Sequence, residues 1–209
     1  MQRYITEFIG TFFLVLVVAV SGNPAAIGVT LMVMVFAGGH ISGGHYNPAV
    51  TLAVLMRRKI PSGQALVYMC VQIVAGIVAA FIARWFLGDK DIVSMDLAKV
   101  ATALAAEVFG TFALAYVVLN VATSEGTTGN SFYGLAIGFT VFAMATTFGP
   151  ISGGAFNPAV AVGQTVLKAF ALKNLWIYIV GCFAGGALAA VVFNYANRQN
   201  KPVPPLPKT

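Results

Sequence analysis

Two copies of one polar motif interrupt an otherwise apolar chain. Each copy reads Ser-Gly-Gly-x-x-Asn-Pro-Ala, and the copies end at residues 49 and 159. Asparagine is a preferred helix N-cap, and proline suits the first helical position because its missing N–H would have no partner there. The glycines before them permit an irregular backbone. The motifs therefore predict two helix starts, formed by Asn47, Pro48, Ala49, Asn157, Pro158 and Ala159.

Helix starts of this kind could select uncharged molecules in a pore. Two N-termini that face one point would place roughly half a positive charge each there, and cations and hydronium would be repelled. The carboxamides of Asn47 and Asn157 can cap their helices through oxygen and turn N–H donors toward a passing water or hydroxyl. A single Asn-Pro-Ala would indicate no more than a capped helix. Two copies, both preceded by Ser-Gly-Gly, favour a pore.

The apolar stretches around the motifs predict where these helix starts lie. The stretches after the motifs, residues 48–56 and 158–167, are too short to cross a hydrocarbon core of about 30 Å, which takes roughly 17–25 helical residues. Six longer stretches can cross it, and helices are expected because lipid offers backbone groups no partner. These cover residues 4–20, 25–39, 65–87, 97–121, 132–148 and 175–195. We predict an all-α membrane protein with six transmembrane helices and two re-entrant half-helices.

Internal similarity indicates an inverted repeat. Residues 7–14 recur as residues 107–114, and residues 41–50 recur as residues 151–160 with eight of ten positions identical. Each copy holds three spans, an odd number, so the second copy must enter the membrane upside down and its half-helix should meet the first near the midplane. We predict one membrane channel domain over residues 1–196, with repeats at about 1–88 and 97–196, and a proline-rich cytoplasmic tail over residues 197–209.

Composition narrows the class of protein. Of 209 residues, 59% are hydrophobic and 9% are charged, against about half and a quarter in an average soluble domain. The net charge of +6 is spread between the apolar runs rather than gathered in a patch, which disfavours nucleic acid as a partner. Cys70 and Cys182 lie singly inside apolar runs, so neither a disulfide nor a metal site is indicated. We expect no enzyme, no cofactor and no metal, because a catalytic domain would have no room outside the membrane.

With its paired motifs and its repeat, the sequence resembles the major intrinsic protein family, the aquaporins and aquaglyceroporins, over nearly its whole length. The resemblance implies a homotetramer with one pore per subunit, in which Glu7 and Glu107 brace the re-entrant loops by accepting backbone hydrogen bonds. From the residues alone, the mid-span Glu107 needs partners or serves as a proton relay. Glu7 is near enough to the interface for solvation to be the alternative.

The resemblance also shows a departure in the selectivity filter. Most family members carry arginine directly after the second Asn-Pro-Ala, where this chain has Val160, and the other filter positions correspond to Ile27, Ala145 and Gly154. Without the donor fork and the charge of arginine, the constriction is expected to be wide, apolar and open to larger uncharged solutes. His45 corresponds to a residue that lines the cytoplasmic approach to the first motif; a packed or water-bonded imidazole is the alternative.

Basic residues indicate the orientation in the membrane. With the N-terminus inside, seven lysines and arginines are cytoplasmic and five are outside, a slight bias that depends mainly on residues 57–59 and the tail. We therefore expect an integral protein of the plasma membrane with both termini in the cytoplasm.

The predicted function is passive conduction of water and small uncharged solutes, such as glycerol-like polyols, urea or metalloid acids, across a lipid bilayer. Two alternatives remain at this point. An ion-coupled secondary transporter could use the same repeat, with Glu107 as the one good candidate for the coupling ion. A structural, junction-type membrane protein could retain a vestigial pore, although the intact paired motifs speak against it.

Overall fold

The computed structural model describes residues 1–88, 92–95 and 97–197, so all but the first residue of the predicted proline-rich tail lies outside the described residues. Within these described ranges, six long helices are apolar and long enough to cross a membrane. They are α1 (Gln2–Ser21), α2 (Pro24–Ser42), α4 (Ser62–Leu87), α5 (Val100–Thr123), α6 (Tyr133–Ser152) and α8 (Leu175–Ala196). Two helices of nine residues lie between them, α3 (Pro48–Met56) and α7 (Pro158–Val166). The predicted fold class is confirmed.

Each half-helix begins where its asparagine caps it. Asn47 and Asn157 have extended backbones, with φ of −157° and −158°. The Oδ1 of Asn47 accepts a hydrogen bond from the N–H of Ala49 at 2.8 Å, and the Oδ1 of Asn157 accepts one from the N–H of Ala159 at 2.9 Å. These caps satisfy N–H groups that have no partner within the first turn of a helix.

The two repeats interlock through the half-helices. α3 packs against α8, the last span of the second repeat, and α7 packs against α4, the last span of the first. Glycine permits the close approach. A Cβ on Gly186 would lie 2.6 Å from the carbonyl oxygen of Ala49, and a Cβ on Gly76 would lie 2.5 Å from that of Ala159. Since packed interiors leave no slack for such overlap, each half-helix depends on a glycine of the opposite repeat.

Gly76→Ala should lower the free energy of unfolding by about 1–3 kcal/mol, because the added methyl group must displace the backbone of α7. The matched control is Gly63→Ala in the same helix, where nothing lies within 4 Å of the new Cβ. Its stability should be unchanged or slightly higher. Detergent denaturation followed by circular dichroism measures both variants. Equal stability of the two would contradict the close packing of α4 on α7.

Candidate functional site

The segment before each half-helix follows the same irregular path in both copies. Two glycines have positive φ, at 96° and 63° in the first copy and at 90° and 63° in the second. An aromatic residue in the same left-handed region follows, Tyr46 at 49° and Phe156 at 46°. This region is costly for a residue with a side chain. Each ring is buried against a glycine in the first helix of its repeat, Gly10 or Gly110, where a Cβ would overlap the ring.

A buried carboxylate satisfies the loop of the first repeat. Glu7 is fully buried in α1, so solvation does not describe its position. Its Oε1 accepts hydrogen bonds from Ser42 Oγ at 2.7 Å and from the N–H of His45 at 2.9 Å. Its Oε2 accepts from the N–H of Tyr46 at 2.7 Å and from Gln72 Nε2 at 2.8 Å. Four donors therefore converge on one carboxylate, in bonds that are stronger than those between neutral groups.

Glu107 occupies the corresponding position in α5 and is also fully buried. Its Oε1 accepts from Ser152 Oγ at 2.7 Å and from the N–H of Ala155 at 3.0 Å. Its Oε2 accepts from the N–H of Phe156 at 2.7 Å. The fourth donor differs between the repeats: the thiol of Cys182, 3.5 Å away, takes the place that a glutamine amide has in the first repeat. A thiol is a weak donor. Glu107 therefore relies more than Glu7 on the hydrogen bonds that its re-entrant loop donates.

The two motif asparagines exchange hydrogen bonds across the repeats. Asn47 Nδ2 donates to the carbonyl oxygen of Phe156 at 2.8 Å, and Asn157 Nδ2 donates to that of Tyr46 at 2.9 Å. A carboxamide NH₂ has two N–H donors, so each asparagine retains one that this exchange does not use. Both side chains border a central cavity, where the second donor can meet a water or solute oxygen.

The central cavity is narrow, about 30 Å³. Such a space holds on the order of one or two waters. It lies between two wider vestibules, of about 390 Å³ and 170 Å³, with which it shares lining residues. Among the described residues that line it, none has a charged side chain. The two helix starts contribute a positive potential at this point.

Most of the wall of this cavity consists of aliphatic side chains outside the motifs. The repeat relates them in pairs, because Leu14 and Val18 recur 100 residues later as Leu114 and Val118. The period of the repeat is the signal in the sequence that could have identified this wall. The aliphatic lining residues outside the predicted site residues are Leu14, Val18, Leu31, Val50, Leu114, Val118, Ile137 and Val141.

The four residues predicted for the filter lie at one end of the central cavity. Ile27 and Gly154 line both the cavity and the larger vestibule. Val160 lines the cavity, and Ala145 lines the vestibule. The second copy of the motif thus has valine where the first copy has Val50, so the same aliphatic side chain borders the cavity from both half-helices.

His45 lies at the opposite end of the central cavity and also lines the smaller vestibule. Its Nδ1 is 3.1 Å from Thr51 Oγ1, and its ring packs edge-on against Tyr68 with the ring centroids 5.3 Å apart. The imidazole is therefore packed against its neighbours, in a buried residue that borders both cavities.

Known proteins resemble this chain over both repeats. The family described as Major intrinsic protein matches residues 1–193. The glycerol uptake facilitator protein-like 6 of Lactiplantibacillus plantarum is 36% identical over 208 residues, which cover 91% of this chain and 95% of that protein. The probable aquaporin NIP4-2 of Arabidopsis thaliana is 32% identical over 225 residues, which cover 100% of this chain and 79% of that protein.

A solved structure has the same fold. The aquaglyceroporin from Plasmodium falciparum aligns with a TM-score of 0.79 at 19% identity, over 92% of this chain and 95% of that chain. The family match includes both motifs, the first five apolar spans and the sixth as far as residue 193. The resemblance stated from the sequence is confirmed: the chain is an integral membrane protein that belongs to the major intrinsic protein family.

Proposed function

We propose that the chain is a passive channel for water and small uncharged solutes. The observation that carries the proposal is the narrow cavity where two half-helices begin, bordered by Asn47 and Asn157. A solute that accepts hydrogen bonds recovers part of its hydration from these donors, whereas a cation meets two positive helix ends. The names of the relatives, a glycerol uptake facilitator and an aquaporin, support the same class of function.

The solute range is proposed to extend beyond water. Ile27, Ala145, Gly154 and Val160 set the size limit in this proposal, and glycerol-like polyols, urea and metalloid acids are the candidate solutes. Small side chains at positions 145 and 154 face a vestibule of about 390 Å³. Because valine supplies no fixed charge, the exclusion of cations and protons would depend on the central helix ends.

Passive conduction is preferred to ion coupling because of where Glu107 lies. It does not border the central cavity, and both of its oxygens accept hydrogen bonds from the re-entrant loop. A coupling ion in the lumen would therefore meet no carboxylate among the described residues of that cavity.

The family resemblance leads us to propose further that the subunits form a homotetramer in the plasma membrane, each with its own pore. Both termini would be cytoplasmic. In that orientation the vestibule beside His45 and Lys59 opens to the cytoplasm, and the one beside Ala145 opens outside. The basic residues 57–59 support this orientation.

Proteoliposomes that contain the protein should exchange water and glycerol faster than empty vesicles in stopped-flow light scattering. Val141→Trp should reduce both rates to the level of empty vesicles, because an indole exceeds the space in the cavity that Val141 lines. Val180→Trp, at an exposed position of α8 outside the cavity, is the matched control and should conduct like the wild type. Wild-type rates no higher than those of empty vesicles, for water and every uncharged solute tested, would refute the channel proposal.

Val160→Arg should narrow the solute range. Glycerol permeability should fall about tenfold, which corresponds to roughly 1.4 kcal/mol in the barrier, because the guanidinium adds bulk and a fixed charge. Water permeability should persist. Val166→Arg, on the exposed side of the same half-helix, is the control and should leave both unchanged. If glycerol and urea pass the Val160→Arg variant as they pass the wild type, the filter assignment is wrong.

Glu107→Gln should destabilise the second re-entrant loop. A carboxamide has one acceptor oxygen in place of two, so the N–H of Ala155 or of Phe156 would lose its partner at a cost of about 1–3 kcal/mol. Thermal denaturation in detergent and water flux measure the effect. Glu125→Gln, in an exposed 3₁₀ turn, is the control for removal of a carboxylate. Wild-type stability and flux in Glu107→Gln would count against the bracing role.

A further inference from the structure

The larger vestibule contains a polar side chain that the filter positions do not include. Gln164 lies in α7 four residues after Val160, so both project from the same face of the half-helix. Gln164 lines the vestibule together with Ile27, Ala145 and Gly154, three of the four filter residues. A carboxamide therefore lies beside the filter, on the side from which a solute would approach Val160.

The backbone at Gln164 is held in place by the turn that follows α7. Its carbonyl oxygen accepts hydrogen bonds from the N–H groups of Ala169 at 2.9 Å and Phe170 at 3.1 Å. The ring of Phe170 lines the same vestibule and stacks on Tyr178 with the centroids 4.4 Å apart. Gln164 is 5% exposed as a residue, so most of it packs against its neighbours beside the vestibule.

The carboxamide of Gln164 has an unused donor. Its Nε2 is buried and has no hydrogen-bond partner in the part of the chain that the structure describes. Buried donors are nearly always paired with protein or with ordered water. Thr146, the other polar side chain among the described residues of this vestibule, donates instead to the carbonyl oxygen of Phe142 at 2.8 Å. Less than 1 Å² of this nitrogen is accessible, so it meets a water or solute oxygen of the vestibule only when the side chain turns toward the lumen.

The architecture of the repeat does not require a polar residue here. At the offset of 110 residues that relates the two motifs, Gln164 corresponds to Val54 in α3. Val54 lines the smaller vestibule, as Gln164 lines the larger one. Since an aliphatic side chain fills the equivalent position, helix packing alone does not explain the carboxamide of Gln164.

We propose that Gln164 forms a hydrogen-bonding subsite at the filter for uncharged solutes that carry hydroxyl or amide groups. This inference rests on the proposed channel function and names the class of solute that the channel favours. A neutral carboxamide offers two donors and an acceptor, so it can replace water around a polyol or urea without the charge of a guanidinium. With this carboxamide present, such a solute loses less hydration on entering the aliphatic constriction beside Val160 than it would if the wall were wholly apolar.

Gln164→Met tests the subsite, because it removes both polar atoms from an unbranched side chain of similar volume. Glycerol permeability should fall about two- to tenfold relative to water permeability, the effect of one lost hydrogen bond. Stopped-flow scattering measures both on the same vesicles. Gln164→Asn, whose shorter side chain withdraws the carboxamide, should give an intermediate ratio. Thr165→Val is the matched control, since the hydroxyl it removes already donates to the carbonyl oxygen of Ala161 at 2.8 Å.

A glycerol-to-water ratio in Gln164→Met equal to that of the wild type overturns the subsite, and so does an equal fall in Thr165→Val. If the Gln164→Met protein does not reconstitute into vesicles, the glycerol-to-water ratio of Gln164→Asn is used instead. A ratio equal to that of the wild type then overturns the subsite. Failure of the channel proposal is distinct, because wild-type vesicles would then conduct neither water nor glycerol above the level of empty vesicles.

Discussion

Lipid offers no hydrogen-bond partner to backbone groups outside a helix, so protein groups or a water-filled lumen must satisfy them, and this constraint shapes the whole protein. The loops before the half-helices are irregular backbone at that depth. Glu7 and Glu107 resolve the problem, because each accepts two consecutive loop N–H groups and the hydroxyl of the serine before them. With these acceptors in place, Tyr46 and Phe156 can adopt left-handed conformations, and each half-helix has a fixed starting point.

The lumen follows from the way the two starting points are held together. Each half-helix packs on a glycine of the opposite repeat, and each motif asparagine donates to a carbonyl oxygen of the opposite loop. Each carboxamide uses one N–H in this exchange. Its second N–H is left for the lumen that both asparagines border. The channel chemistry therefore depends on both repeats at once, because each half supplies a carbonyl oxygen and a glycine that the other half contacts. The same crossing puts Val50 and Val160 on the two sides of the asparagines.

Much of the architecture could be predicted because it depends on local chemistry. The half-helices expected at 48–56 and 158–167 are observed at Pro48–Met56 and Pro158–Val166, since Asn-Pro-Ala fixes a helix start within three residues. The six spans follow from apolar length. The burial of Glu7 could not be predicted from local chemistry. Its place near the end of a span suggests solvation, but the loop after α2 returns over it and buries it.

The sequence by itself determined the six spans, the inversion of the repeat and the capped helix starts, because hydropathy, parity and N-cap preference act over a few residues. The tertiary structure alone decided which groups meet. The two asparagine bonds join residues 109 and 111 positions apart, and the cavity wall combines four long helices. It also placed Gln164, a polar residue of α7 outside the motifs, beside three of the proposed filter residues, with a buried Nε2 that has no partner among the described residues. Contacts of this range depend on how the two inverted halves pack, and no short stretch of sequence encodes that packing.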